Sequence, residues 1–306
     1  MDQPLQPRLA SRLEERLRSG EFALTAEITP PLSCRPEDVT RKALPLRDLA
    51  DAVNVTDGAG ARAHMSATAA AFFLLQSGIE PVLQFTCRDR NRLALQSSLL
   101  GAAAVGIHNV LLLGGDDPSA GDQPETKAVF DLDSRRLIET ARILRDRREL
   151  PNGRPIAGEP KFFIGAADMP IDPPADWRPD GLKAKIAAGT QFVQTQFCMD
   201  TGVVRRYVGR LRDAGITAEV YVLIGISPLR SARSARWMRQ HLFGTIIPDT
   251  LVERMEAAAD PEQEGRRICV ELLQELKEIP GVAGAHIMAP GNDAAVPDVI
   301  SAFRKE

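Results

Sequence analysis

Short apolar runs recur along the chain, each stopping abruptly at glycine or polar residues. They fall at 22–29, 52–56, 81–87, 109–113, 161–166, 192–197, 219–224 and 285–288. Unbroken runs of this length predict strands buried on both faces. Between them lie segments rich in Ala, Leu, Arg and Glu, at 37–49, 66–76, 92–104, 134–149, 182–188 and 203–214, which predict helices. Several strands open after glycine and one apolar residue, as in Ser-Gly-Ile-Glu-Pro and Val-Gly-Ile-His-Asn. That is the mark of a helix C-terminal glycine followed by a short return into the sheet. Strands alternating with helices imply parallel crossovers. Eight such units in 306 residues predict an α/β chain folded as a (βα)8 TIM barrel, a single domain over 1–306, since such barrels run to about 250 residues before insertions. The surplus is expected in a loop at 114–133, a Pro-rich loop at 168–180 and a helical insertion at 248–279 before strand eight. A doubly wound open sheet is the alternative arrangement.

In a barrel, the C-terminal ends of all the strands meet on one face, where barrel enzymes keep their sites. Reading those ends gives Glu27, Thr56 and Asp57, Gln84 and Thr86, Asp116, then Gln194 and Gln196. Carboxylates and amides in apolar strands need partners, and so many converging on one rim predict a binding site. The stretch His-Asn-Val-Leu-Leu-Leu-Gly-Gly-Asp-Asp-Pro at 108–118 is the sharpest case. Gly114 and Gly115 remove side chains where the strand ends, so another group can approach the backbone. The two aspartates before proline fit that site, or simply begin a turn.

Composition narrows the partners. Hydrophobic residues make up 44% and charged residues 26%, with a formal net charge of -3, which gives no support for a nucleic-acid partner. The four cysteines are far apart and the four histidines lack ligand spacing, so no metal is expected. His108, ahead of a strand, reads as structural. Neither phosphate-loop fingerprint occurs, and Ser227 has no evident base for acyl chemistry. The opening residues lack a leader pattern and no run is long enough to span a bilayer. A cytoplasmic protein is the default expectation, with no membrane partner.

Six stretches in register along the barrel resemble the methylenetetrahydrofolate reductase family. They are Ala-Glu-Ile-Thr-Pro-Pro, Asn-Val-Thr-Asp-Gly, Gln-Phe-Thr-Cys, Leu-Leu-Leu-Gly-Gly-Asp-Asp-Pro, Lys-Ile-Ala-Ala-Gly-Thr-Gln-Phe-Val-Gln-Thr-Gln-Phe and Gly-Val-Ala-Gly-Ala-His-Ile-Met. The resemblance runs from about residue 20 to 290. It implies a flavin across the mouth, FAD ahead of FMN, passing a hydride from NADH or NADPH to methylenetetrahydrofolate. By the same resemblance, Glu27 matches the general acid and Asp116 the aspartate between flavin and pterin. Gln196 matches the amide that meets folate and nicotinamide, and Thr56 and Lys185 match flavin-side positions, with Asp57, Gln84, Gly114, Gly115 and Ala167 beside them.

The chain also departs from the family pattern. Gly114 replaces a common arginine, Asp57 a tyrosine, Gln84 a histidine and Ala167 an aromatic flavin neighbour. Aligning through loops pairs Met238 with a substrate-stacking phenylalanine and Asn292 with an arginine. The resemblance therefore implies folate reduction by NAD(P)H. The alternatives are the same chemistry with electrons from a partner protein, and a folate-binding subunit without catalysis. The partner expected is a tetrahydrofolate substrate, with a homo-oligomer or an electron-transfer protein as further candidates.

Overall fold

The computed structural model describes residues 11–305; residues 1–10, from which the missing leader was read, and Glu306 lie outside the described residues. Eight parallel strands close into a barrel in sequence order. They are β1 (Ala23–Ile28), β2 (Ala52–Val55), β3 (Pro81–Thr86), β4 (Asn109–Leu113), β5 (Phe163–Asp168), β6 (Phe192–Phe197), β7 (Tyr221–Ile226) and β8 (Val282–Ile287). The expected barrel is thus the observed fold, and the open sheet is not.

The helices are α1 (Arg12–Arg18), α2 (Pro36–Ala43), α3 (Ala67–Gln76), α4 (Arg92–Ala104), α5 (Ser134–Arg147), α6 (Asp180–Ala188), α7 (Thr201–Asp213), α8 (Ala232–His241), α9 (Asp249–Ala257), α10 (Pro261–Lys277) and α11 (Ala295–Lys305). The segment before β8 is helical as expected, but the extra matter starts earlier. α10 packs on β7 and β8 as a crossover helix of the barrel, so α8 and α9 are the surplus. Sequence periodicity sees helix in all three and cannot say which one touches the sheet.

Alternation along each strand sorts the core into two parts. Leu24, Ala26, Ile28, Val53 and Val55 face outward, into the apolar layer beneath the helices. Ala23, Ala52, Val82, Leu111, Phe163, Phe192 and Leu223 face inward and form a separate cluster in the barrel. Gly165 makes that layer possible, since a Cβ there would stand 2.3 Å from the Phe192 ring. Leu13 and Leu17 of α1 join the inner cluster and plug the lower end. Glu80 holds the plug by accepting from the backbone N–H groups of Arg12 and Leu13, at 2.7 and 2.9 Å.

Above the apolar floor comes a polar layer. Thr25, Asn54, Gln194 and His286 are all buried inside the barrel. Their side chains bond one another, which is the condition for placing them there. The next inward positions form the mouth.

Candidate active site

A cavity of about 460 Å³ opens at the C-terminal ends of the strands, walled by Glu27, Thr56, Gln84, Asp116, Gln196 and residues between them. Glu27 comes from β1, its side chain 21% exposed. Its Oε2 accepts from Gln84 Nε2 at 2.9 Å and lies 3.5 Å from His286 Nε2. No described residue donates to Oε1. The carboxylate is therefore fixed through one oxygen and open at the other.

The two aspartates after β4 divide the roles the sequence left open. Asp117 begins the turn: its carboxylate accepts from the N–H and hydroxyl of Ser119, which lowers its pKa below the usual carboxylate range. Asp116 lines the cavity, and its Oδ2 accepts from Gly60 N at 2.9 Å. Gly115 has φ +99, and a Cβ there would press on Arg88 and Thr86 at 3.0 and 3.1 Å, so glycine is required. Gly114 is different: nothing stands within 4 Å of where its Cβ would be.

Thr56 is buried against the cavity, and its Oγ1 has no hydrogen-bond partner among the described residues. A buried hydroxyl left unpaired is costly, and one facing a cavity fits a ligand atom. Asp57 also lines the mouth, but its Oδ2 accepts from both the N–H and the hydroxyl of Thr86, at 2.8 and 3.0 Å, and pairs with Arg90. It braces β3. Arg88, 4% exposed, pairs with Asp89 and donates to the Gly58 carbonyl, tying the same loops together.

On the other side, Ala167 and Lys185 line the cavity, and Lys185 Nζ donates to the Ala167 carbonyl at 2.6 Å. Beside them stands Asp168, which strand-end reading missed because β5 runs two residues past the predicted end at 166. Burial pushes its carboxyl above the usual range, opposed by a hydrogen bond from Tyr207 and by the Lys185 charge. The Tyr207 hydroxyl, raised in turn by burial and by Asp168, donates to that carboxylate.

One expected site residue is displaced. Met238 is 4% exposed, buried in the apolar core on α8, and is not in the cavity wall. The helix turns Trp237 outward, to stack on His241. The aromatic side chain near the mouth is Phe243, five residues later and 84% exposed. Gln196 Nε2 donates to its carbonyl at 3.1 Å. Gly244 follows close against Met169, another wall residue. Asn292 ties the loops after β7 and β8 by donating to the Pro228 carbonyl at 3.1 Å. His108 lies at the opposite end of the barrel, its carbonyl accepting from Phe163 N at the start of β5. His286 and Asp168 went unnoticed, although period-two reading of strand eight, or a longer strand five, reaches both. Among the described residues no cluster of side chains fits a metal, and no helix is long and apolar enough to cross a membrane.

A closed (βα)8 barrel with a carboxylate, amides and an unpaired hydroxyl gathered at its mouth has the layout of the barrel enzymes. Comparison with known proteins narrows this: the profile described as methylenetetrahydrofolate reductase matches residues 12–304, and the chain belongs to that family. It is 25% identical over 246 residues to a probable methylenetetrahydrofolate reductase (NADPH) of Caenorhabditis elegans, covering 78% of this chain and 34% of that protein. It is 24% identical over 277 residues to methylenetetrahydrofolate reductase 2 of Schizosaccharomyces pombe, covering 86% and 42%. The chain thus spans between a third and somewhat over two-fifths of these relatives. Among solved structures, an uncharacterized protein from Clostridium thermocellum that binds two copies of 5-methyl-5,6,7,8-tetrahydrofolic acid aligns with a TM-score of 0.62 at 13% identity, covering 96% of this chain and 98% of that one. DmoA from Hyphomicrobium sulfonivorans aligns with a TM-score of 0.54 at 12% identity, covering 93% and 88%. At such identities these two show the fold alone.

Proposed function

We propose that this barrel is a flavin-dependent methylenetetrahydrofolate reductase, interconverting 5,10-methylene- and 5-methyltetrahydrofolate. Family membership supports the reaction class, and the folate bound by the Clostridium thermocellum neighbour supports a reduced folate as substrate. The observation that carries the reading is Glu27, held in the cavity through Oε2 with Oε1 open. A pure binding subunit has no need of a carboxyl presented in that way.

The residues present fit a flavin. Thr56 brings an unpaired hydroxyl, the Cβ direction of Gly114 is open, and Lys185 is fixed at the end of β5. Thr56, Gly114, Gly115, Ala167 and Lys185 would hold it, with FAD favoured over FMN by the resemblance. When bound, the flavin supplies two-electron hydride transfer between a nicotinamide donor and the folate. Glu27 gives its proton from Oε1 to the folate nitrogen released as the methylene bridge opens. Gln84 keeps Oε2 occupied during that transfer. Asp116 faces the same space and sets its electrostatic potential, while Gln196 presents its amide to the substrate side.

Phe243 favours a nicotinamide donor over a partner protein. Its exposed ring, on a loop pinned by Gln196, supplies the aromatic surface that Met238 does not. The test is direct. Purified protein should be yellow and release a flavin, and NADH or NADPH should bleach it under anaerobic conditions. Colourless protein that still converts methylenetetrahydrofolate would overturn the flavin mechanism.

A further inference from the structure

The polar layer beneath the mouth has a direction. Asn54 and Gln194 face each other and exchange hydrogen bonds, Asn54 Nδ2 to Gln194 Oε1 at 2.6 Å and Gln194 Nε2 to Asn54 Oδ1 at 3.0 Å. Reciprocal amides satisfy both bonds in only one orientation of each group. That orientation also makes Gln194 Nε2 the donor to Thr25 Oγ1, at 2.9 Å. Thr25 accepts there and keeps one proton to give. Two acceptors are within reach, His286 Nδ1 at 2.9 Å and the Ala285 carbonyl at 3.4 Å. The shorter contact is the better bond. β1 and β8 place Thr25 directly beside His286 in register, so the contact is set by the sheet.

We propose that His286 is a positioning residue for Glu27, held by Thr25 in the tautomer that donates from Nε2 to Glu27 Oε2; this rests on reading Glu27 as the acid. The proton on one ring nitrogen is decided by the bond the other makes. With Nδ1 accepting from Thr25, the ring proton sits on Nε2 and faces Glu27 Oε2 at 3.5 Å. The opposite tautomer would aim a lone pair at the carboxylate and drive Thr25 to its longer contact. The His286 side chain is 4% exposed, so solvent offers little compensation. A distance of 3.5 Å is long, but catalytic hydrogen bonds in unliganded sites commonly tighten when substrate binds. Gln84 donates to the same oxygen from β3. Two donors on Oε2 fix the plane of the carboxyl and leave Oε1 to carry the transferable proton. Rotating the group to exchange its oxygens would break both contacts.

The full-length protein labelled with 15N at its histidine rings tests this, with His286→Gln identifying the resonances of one ring among four histidines. The expected spectrum has His286 Nδ1 unprotonated and Nε2 protonated. Thr25→Val should remove the bias between tautomers and slow the folate half-reaction roughly tenfold, the loss of one hydrogen bond to a charged group. The Kd for folate should change by less than about twofold, because Thr25 does not touch the ligand, and Thr25→Ser should restore both rate and spectrum. A proton on Nδ1 in the wild type overturns the proposal, whether the ring is the other tautomer or an imidazolium. So does a Thr25→Val protein with an altered tautomer and an unchanged rate. A chain inactive on methylenetetrahydrofolate overturns the functional reading instead, and the wild-type spectrum still decides the tautomer.

Discussion

The side-chain amide of Gln84 donates to the carboxylate of Glu27 at 2.9 Å, joining β3 to β1 across 57 residues of sequence. One donor on a charged oxygen is worth about 1.5–3 kcal/mol. Gln84→Leu should therefore slow the folate half-reaction by roughly tenfold or more. Flavin reduction by the nicotinamide should stay within about twofold, since Gln84 acts through the acid. Rapid-mixing measurement of each half-reaction checks this. An equal loss in both would make Gln84 a flavin ligand.

Asp116→Asn should raise the flavin midpoint potential, because reduced flavin loses a repulsive neighbour. Asp116 is exposed and its carboxylate already accepts from Gly60. Exposed charges couple by up to about 1 kcal/mol, or roughly 20 mV for a two-electron couple. Asparagine keeps an oxygen for Gly60 N, so the loop should hold. A redox titration with no shift would place Asp116 away from the flavin.

Phe243→Leu should weaken nicotinamide-dependent flavin reduction. An aromatic contact contributes about 0.5–1.5 kcal/mol beyond burial, so a loss of up to roughly tenfold is expected. Met238→Leu, in the core, should leave that step alone. The reverse pattern in stopped-flow traces would return the stacking role to α8.

Asp168 gives a pH signature. Burial holds its carboxyl above the usual range in the folded protein, so the folded state binds a proton more tightly than the unfolded chain does. Stability from this group is greatest below the unfolded pKa of about 3.9 and falls as pH rises through the raised folded value. Asp168→Asn keeps an acceptor for the Tyr207 hydroxyl and removes that fall. Melting curves should show the variant more stable than wild type at neutral pH, with the difference shrinking in acid. A variant that melts lower at pH 7 would mean that the charged Tyr207 contact outweighs desolvation.

The barrel was legible because every strand is an unbroken apolar run, and most of the mouth because polar residues interrupt those runs near their ends. Glu27, Gln84 and Gln196 are such interruptions. What was hidden depends on packing across the chain. α1 is short and mostly charged, and only two apolar residues, Leu13 and Leu17, betray its role as a plug. Met238 and Phe243 are five residues apart, and only the docked position of α8 shows which is buried. Asp116 and Asp117 look alike in sequence; the turn claims one and Gly60 anchors the other.

The central claim is that Glu27 supplies the proton that opens the methylene bridge. A glutamate can do so near neutral pH only where its surroundings favour the protonated form. Glu27→Gln keeps the size of the side chain and removes the transferable proton. General acid catalysis contributes about 10²–10⁴-fold. The decisive measurement is stopped-flow reoxidation of prereduced Glu27→Gln enzyme by methylenetetrahydrofolate, beside reduction of the same protein by its nicotinamide donor. Folate reduction should fall by about 10²-fold or more while flavin reduction stays near wild type; a folate half-reaction at the wild-type rate would contradict the account.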